Sequence, residues 1–220
     1  MATNEVDIKL DKLVWKVPHV KLSDEQRLLL LKIIDKNQIL PIAFRSWDLY
    51  EHPSLPTGTQ QETWTVKASS SLERPRYVII AFQTDRQRNI TKDTSNFDHC
   101  KLRNVKVFLN SEQYPYDDIN LDFDKAKTAL LYDMFTRFQT SYYGKTSEPL
   151  LSREEFLTLT PIVVVDCSKQ SDAIRTSTVD MRIEFELSQN FPANTRAFCL
   201  VVHDRIVEYE AGTGLVRRMY

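Results

Sequence analysis

Residues 179–187 read VDMRIEFEL, in which Val179, Met181, Ile183, Phe185 and Leu187 alternate without a break against Asp180, Arg182, Glu184 and Glu186. Successive side chains of a strand point to opposite sides, so this segment has one face for a core and one for water. Such a strand belongs to an antiparallel sheet laid over a core, because a strand covered on both faces reads as an unbroken apolar run.

Other segments repeat the theme. Residues 39–49 read as extended chain, 62–68 alternate through Trp64 and Val66, and 76–84 and 102–109 are strong strands. The valine run within 161–167 is a buried strand, and 197–203 and 206–209 close the set. Residues 13–22 are extended, with Pro18 suited to a sheet edge because proline cannot donate to a ladder. The polar tract 85–96 reads as a loop, and Tyr114-Pro115-Tyr116 and Gly212-Thr213-Gly214 as turns. Three helices are expected. Ser23 with Gln26 makes a capping box before the leucine-rich run 28–34, which Asn37 stops. A long amphipathic helix spans 125–143, with Ala126, Leu130, Met134 and Phe138 four apart and Gly144 to end it. Ser152 with Glu155 caps a single helical turn. Eight or nine strands with three helices make an antiparallel sandwich, since a doubly wound sheet needs a helix between most of its strands.

Composition narrows the function classes. At 220 residues the chain suits one large domain over 1–220, and 29 basic against 30 acidic residues give a net charge of -1, unlike the basic excess of a nucleic-acid-binding domain. Neither a signal-peptide core in MATNEVDIKL nor a membrane-length apolar run is visible, so a soluble, intracellular protein is expected. Cys100, Cys167 and Cys199 are widely spaced, without the C-x-x-C of a zinc or redox site, and the last two lie in apolar strands where a thiol acts as a small core residue.

Searches for chemistry return little. His19, His52, His99 and His203 form no H-x-H or H-x-D ligand pair, and His203 and Asp204 point to opposite faces of a strand. No serine or cysteine sits in a nucleophile elbow, and the two glycines at 212 and 214 are too few for a phosphate loop. No catalytic residue, cofactor or metal ligand is therefore assigned. What stands out are aromatic groups: Phe44, Trp47 and Tyr50; Tyr114 and Tyr116; Tyr142 and Tyr143. Aromatic side chains with a polar end are enriched in interfaces, and they also pack ordinary cores and corners. Either reading fits Arg45, Trp47, Tyr50, Tyr114, Tyr116, Tyr142 and Tyr143 as candidate interface residues, with Arg45 placed to meet a carboxylate. A second reading makes Trp47, Trp64 or Tyr116 stacking platforms for a carbohydrate or protein ligand.

Four phrases carry a family resemblance: FRSWDLYEHPSLP from Phe44, RPRYVIIAFQTDR from Arg74, FDHCKLRNVKVFLNSEQYPY from Phe97 and NFPANTRAFCLVVHDRIVEY from Asn190. Together they resemble the double jelly-roll-like domain of uncharacterised insect proteins, related to major capsid proteins of double jelly-roll viruses and Polinton-type elements. The resemblance implies an all-β antiparallel jelly-roll sandwich of two four-stranded sheets, with the 125–143 helix inserted before a later strand. It implies a structural, non-enzymatic capsid-like protein, in a virion or virus-like particle or as a domesticated or truncated copy. Self-association as a homo-oligomer is then expected, a trimer if a second roll accompanies this one and otherwise a ring of five or six, or a monomeric remnant. No specific nucleic acid, membrane or small-molecule substrate is expected as partner.

Overall fold

A computed structural model describes residues 9–36, 38–68, 75–87, 89–146, 148–170 and 179–219. The chain divides into two compact units, the first made of the described part of 1–40 with 209–216 and the second of the remainder.

In the first unit, helix α1 (Asp24–Asp35) begins where Ser23 accepts the Gln26 N–H at 3.4 Å. The expected stop at Asn37 lies outside the described residues. None of the α1 residues is buried, and Leu28 to Leu31 are all exposed. Residues 13–22, expected at a sheet edge, carry no strand: their backbone joins no ladder.

The second unit holds the sandwich. Strands β1 (Ile39–His52), β2 (Gln61–Ala68), β3 (Pro75–Thr84), β4 (Leu102–Leu109), β5 (Glu112–Tyr114), β6 (Val163–Asp166), β7 (Asp180–Leu187) and β8 (Thr195–Glu210) form two sheets. Their orders are β1-β8-β3-β6 and β2-β7-β4-β5. The pairs β4 with β5, β3 with β6, β2 with β7 and β1 with β8 nest inside one another, as in a long hairpin rolled over a core, and this is jelly-roll topology. The two expected strands 197–203 and 206–209 are one, β8, because His203, Asp204 and Arg205 continue the extended backbone. After a turn at 211–214, with Gly214 at φ 69, the chain returns as β9 (Leu215–Met219) beside β8. The first sheet is therefore five-stranded and the second four-stranded, not two sheets of four.

Val179, Met181, Ile183, Phe185 and Leu187 are all buried, facing Val78, Ile80 and Phe82 of the opposite sheet across one core. The pattern in β3 is different. Tyr77 to Phe82 form an unbroken apolar run because α2 (Ala129–Tyr143) covers the outer face of that sheet, over Tyr77, Val164 and Val202. The valines of β6 are continuous for the same reason, although the strand covers only four of the residues 161–167.

Helix α2 starts four residues later than its periodicity predicts. Asp122 accepts the N–H groups of Asp124 and Lys125 at 3.1 and 3.0 Å, Ala126 turns left-handed at φ 55, and Asp122 bridges to Lys127, so 122–127 form a closed turn. The inward stripe is Leu131, which is buried, with Phe135, Phe138 and Tyr142, which are half-buried, while Leu130 is 46% exposed. Gly144 ends the helix at φ 65, as expected. Helix α3 (Arg153–Leu159) carries the full capping box, Ser152 accepting the Glu155 N–H while Glu155 accepts the Ser152 N–H. Those bonds hold the Glu155 carboxyl below its usual range.

Candidate interaction surface

The outer face of the β1-β8-β3-β6 sheet brings together residues far apart in the chain. On β1, alternate residues Arg45 and Trp47 point toward the C-terminal end of α2. The Arg45 guanidinium lies 4.3 Å from the centre of the Tyr142 ring, a cation–π stack. Trp47 meets the same ring edge-on at 5.9 Å and its Nε1 donates to Tyr142 Oη at 3.1 Å. Tyr143 packs edge-on against Tyr142 at 4.7 Å. From β8, Asp204 Oδ1 stands 3.4 Å from Arg45 Nε and its Oδ2 accepts from Arg76 Nη1 at 2.7 Å. That bond raises the Arg76 guanidinium above its ordinary value. Arg45 thus meets a carboxylate of its own chain, Asp204.

Four of the seven candidate residues therefore form one platform: Arg45, Trp47, Tyr142 and Tyr143, with Trp47 49% and Tyr143 59% exposed. Tyr50 lies elsewhere, packed against the interior core. Tyr114 also packs on that core, and its hydroxyl donates to Glu112 Oε2 at 2.9 Å. Burial, then that bond, pushes the Tyr114 hydroxyl well above its usual value. Tyr116, just beyond the cis peptide between Tyr114 and Pro115, is 90% exposed. Trp64, a suggested stacking platform, is buried against Phe185, where no ligand reaches its face. Sequence reasoning missed Asp204 and Arg76 as members of the platform. His203 and Asp204 point to opposite faces, as expected: His203 faces Asp48 at 3.3 Å while Asp204 turns outward, as strand alternation requires.

Beside the platform, α2, β6 and residues 115–119 enclose a cleft of about 430 Å³. Leu130, Met134 and Phe138 give it an apolar lining, and Asp117, Asp118, Asp133 and Asp166 line it with Arg137 as the one cation among the described residues. The outer face of the other sheet is polar: Asn104 donates to Glu186 at 2.8 Å, and Arg182 pairs with Glu184 at 3.3 Å while lying over the Phe108 ring.

The thiols are unsuited to nucleophilic chemistry. Cys167 and Cys199 are fully buried and Cys100 nearly so. Burial pushes Cys100 up to about 11 and Cys199 to about 12, with Cys167 higher still. At pH 8 the folded protein should not react with Ellman's reagent within minutes, and all three thiols should appear after denaturation; a fast-reacting thiol in the native protein would contradict this burial. The sign of the linkage follows. Folded values above the ordinary 9.0 mean that the folded state keeps protons the unfolded state releases. This contribution to stability is whole below about pH 9 and declines as pH rises toward 11 and 12, so the melting temperature should fall across that window. Among the described residues no three His, Cys, Asp or Glu side chains converge as metal ligands, and no helix is long and apolar enough to cross a membrane.

A family model described as "double jelly roll-like domain" matches residues 1–207. Among solved structures, a chain of the Sputnik virophage aligns at 10% identity and a TM-score of 0.48, over 82% of this chain and 39% of that one. PBCV-1 VP54, fitted into a reconstruction of Sputnik, aligns at 9% identity and 0.48, over 90% and 55%. The mavirus major capsid protein aligns at 10% and 0.36, over 82% and 41%. This chain thus spans between 39% and 55% of the length of these structures. No curated protein sequence matches it.

Proposed function

Because the chain belongs to the double jelly roll-like domain family, we propose that it is a structural, non-enzymatic protein of capsid type that works by associating with copies of itself. The observation that carries this reading is the family match over residues 1–207, which spans the whole nested set of eight jelly-roll strands but for the end of β8 beyond residue 207. A virion shell and a domesticated derivative share the requirement for lateral contacts between copies, each modest and gaining strength by repetition. One roll alone gives a trimer three wedges; a second roll would give it six.

The contact surface in this reading is the Arg45, Trp47, Tyr142 and Tyr143 platform. It is aromatic and half-exposed, and its cations Arg45 and Arg76 are already paired by Asp204, so covering it strands no ion. Size-exclusion chromatography with light scattering, over a wide range of concentration and salt, should show discrete oligomers. Trp47→Ala with Tyr143→Ala should weaken them by about tenfold or more, the effect of removing central aromatic anchors. A protein that stays monomeric throughout would overturn the reading.

A further inference from the structure

We propose that residues 9–22 of one copy seat in the acid-lined cleft beside α2 of a second copy. The inference rests on the self-association reading and names a surface for it distinct from the aromatic platform. Residues 9–22 read KLDKLVWKVPHVKL, four lysines against one aspartate, with apolar residues between them. Every residue of the segment is exposed, including Trp15 at 89%, Leu13 at 87% and Val20 at 84%. A contiguous stretch of large apolar side chains in water marks a surface that a partner covers.

The cleft has the opposite and matching chemistry. Its volume of about 430 Å³ lies in the range that receives an aromatic anchor with a neighbouring side chain, and Leu130 and Tyr116 at its mouth are 46% and 90% exposed. Among the described residues four carboxylates face it against Arg137 alone, although Asp118 is engaged by Lys106 at 2.9 Å and Asp133 by Arg137 at 2.7 Å. Lysines spaced along an apolar segment place ammonium groups at such a rim while Trp15 or Leu13 fills the floor, and opposite charges favour encounter and register. Donor and acceptor are different surfaces, so the contact is head-to-tail and closes into a ring when the rotation permits. A basic, apolar segment also suits an anionic lipid surface; the cleft favours a protein partner, and lipid is an outcome of the test.

The 220-residue chain carrying a photoreactive benzoylphenylalanine in place of Trp15 is mixed as isotope-labelled and unlabelled copies, irradiated and analysed by mass spectrometry. The expected result is cross-links from position 15 to residues 116–134 in mixed-isotope pairs. Cross-links within single copies only, cross-links to other surfaces, or flotation with phosphatidylserine vesicles without cross-links would each overturn the proposal. In parallel, Lys12→Glu with Lys16→Glu should weaken assembly about tenfold, Asp117→Lys with Asp133→Lys likewise, and mixing the two variants should restore it. Such rescue does not follow from misfolding. Assembly that is indifferent to both charge reversals sinks this contact and leaves the self-association reading standing; absence of any assembly sinks both.

Discussion

Ile183→Asp should leave the protein unfolded at room temperature. Ile183 is fully buried at the centre of β7, the strand that lies between β2 and β4, and stands opposite Trp64 on one side and Val107 on the other. The substitution removes a buried aliphatic side chain, worth about 1.5 to 3 kcal/mol, and puts an unpaired carboxylate among apolar neighbours at a cost of several kcal/mol more. A domain of this size has a total stability of about 5 to 15 kcal/mol, so the sum approaches or exceeds it. The neighbouring control, Glu184→Ala, removes only a side chain on the outer face whose partner is the half-exposed Arg182, and should change stability by about 0.5 kcal/mol or less. Circular dichroism melts of the pair provide the measurement. If Ile183→Asp melts within a few degrees of the parent, the alternation of 179–187 has been assigned to the wrong face.

That alternation was legible because β7 is wet on one side; β3 and β6 were legible because both their sides are dry. The failures have equally local causes. Adjacent leucines at 130 and 131 satisfy two helix phases. Counting by fours from Ala126 selects the exposed Leu130, whereas a period of 3.6 from Leu131 collects Phe135, Phe138 and Tyr142. Strand β5 reads only EQY and β9 LVRRM, without alternation, and each exists through the hairpin that returns it to a neighbour. The basic segment 13–22 has the proline, Pro18, and the apolar residues of an edge strand, yet no ladder claims it. At the candidate surface, the aromatic clusters were visible as clusters but not as one platform. Trp47 and Tyr142 are 95 positions apart, and only the rolling of β1 and α2 onto one sheet makes them partners. Asp204 could have been found by carrying the in-and-out count of β8 past Val202, which puts it on the same side as Tyr77's outer face.

Phe156→Ala should cost about 3 to 5 kcal/mol, the usual loss for a fully buried phenylalanine. Phe156 is the single buried residue of α3; it stacks on Phe135 with ring centres 4.6 Å apart and lies 5.6 Å from the Tyr132 ring. A seven-residue helix has no independent stability in water, so two things hold it: this side chain and the Ser152 cap. The cap contributes about 1 kcal/mol, and Ser152→Ala should therefore be the milder change by a factor of three or more. Urea denaturation of both variants gives the ratio, and near-equal losses would mean that capping, not packing, anchors α3. The shape of the curve is as informative as its midpoint. Phe156 belongs to the same buried cluster as Ile183 and Phe185, and Phe135 carries that cluster into the stripe of α2 that ends under Arg45 and Trp47. Inserts built into the core in this way must unfold with the sheets in one transition. The Phe156→Ala variant should keep that single transition while losing order at Tyr142, so that weaker assembly accompanies lower stability; a separate early transition confined to α2 and α3 would show that the helices are an attachment to the roll and that the platform is not held by its core.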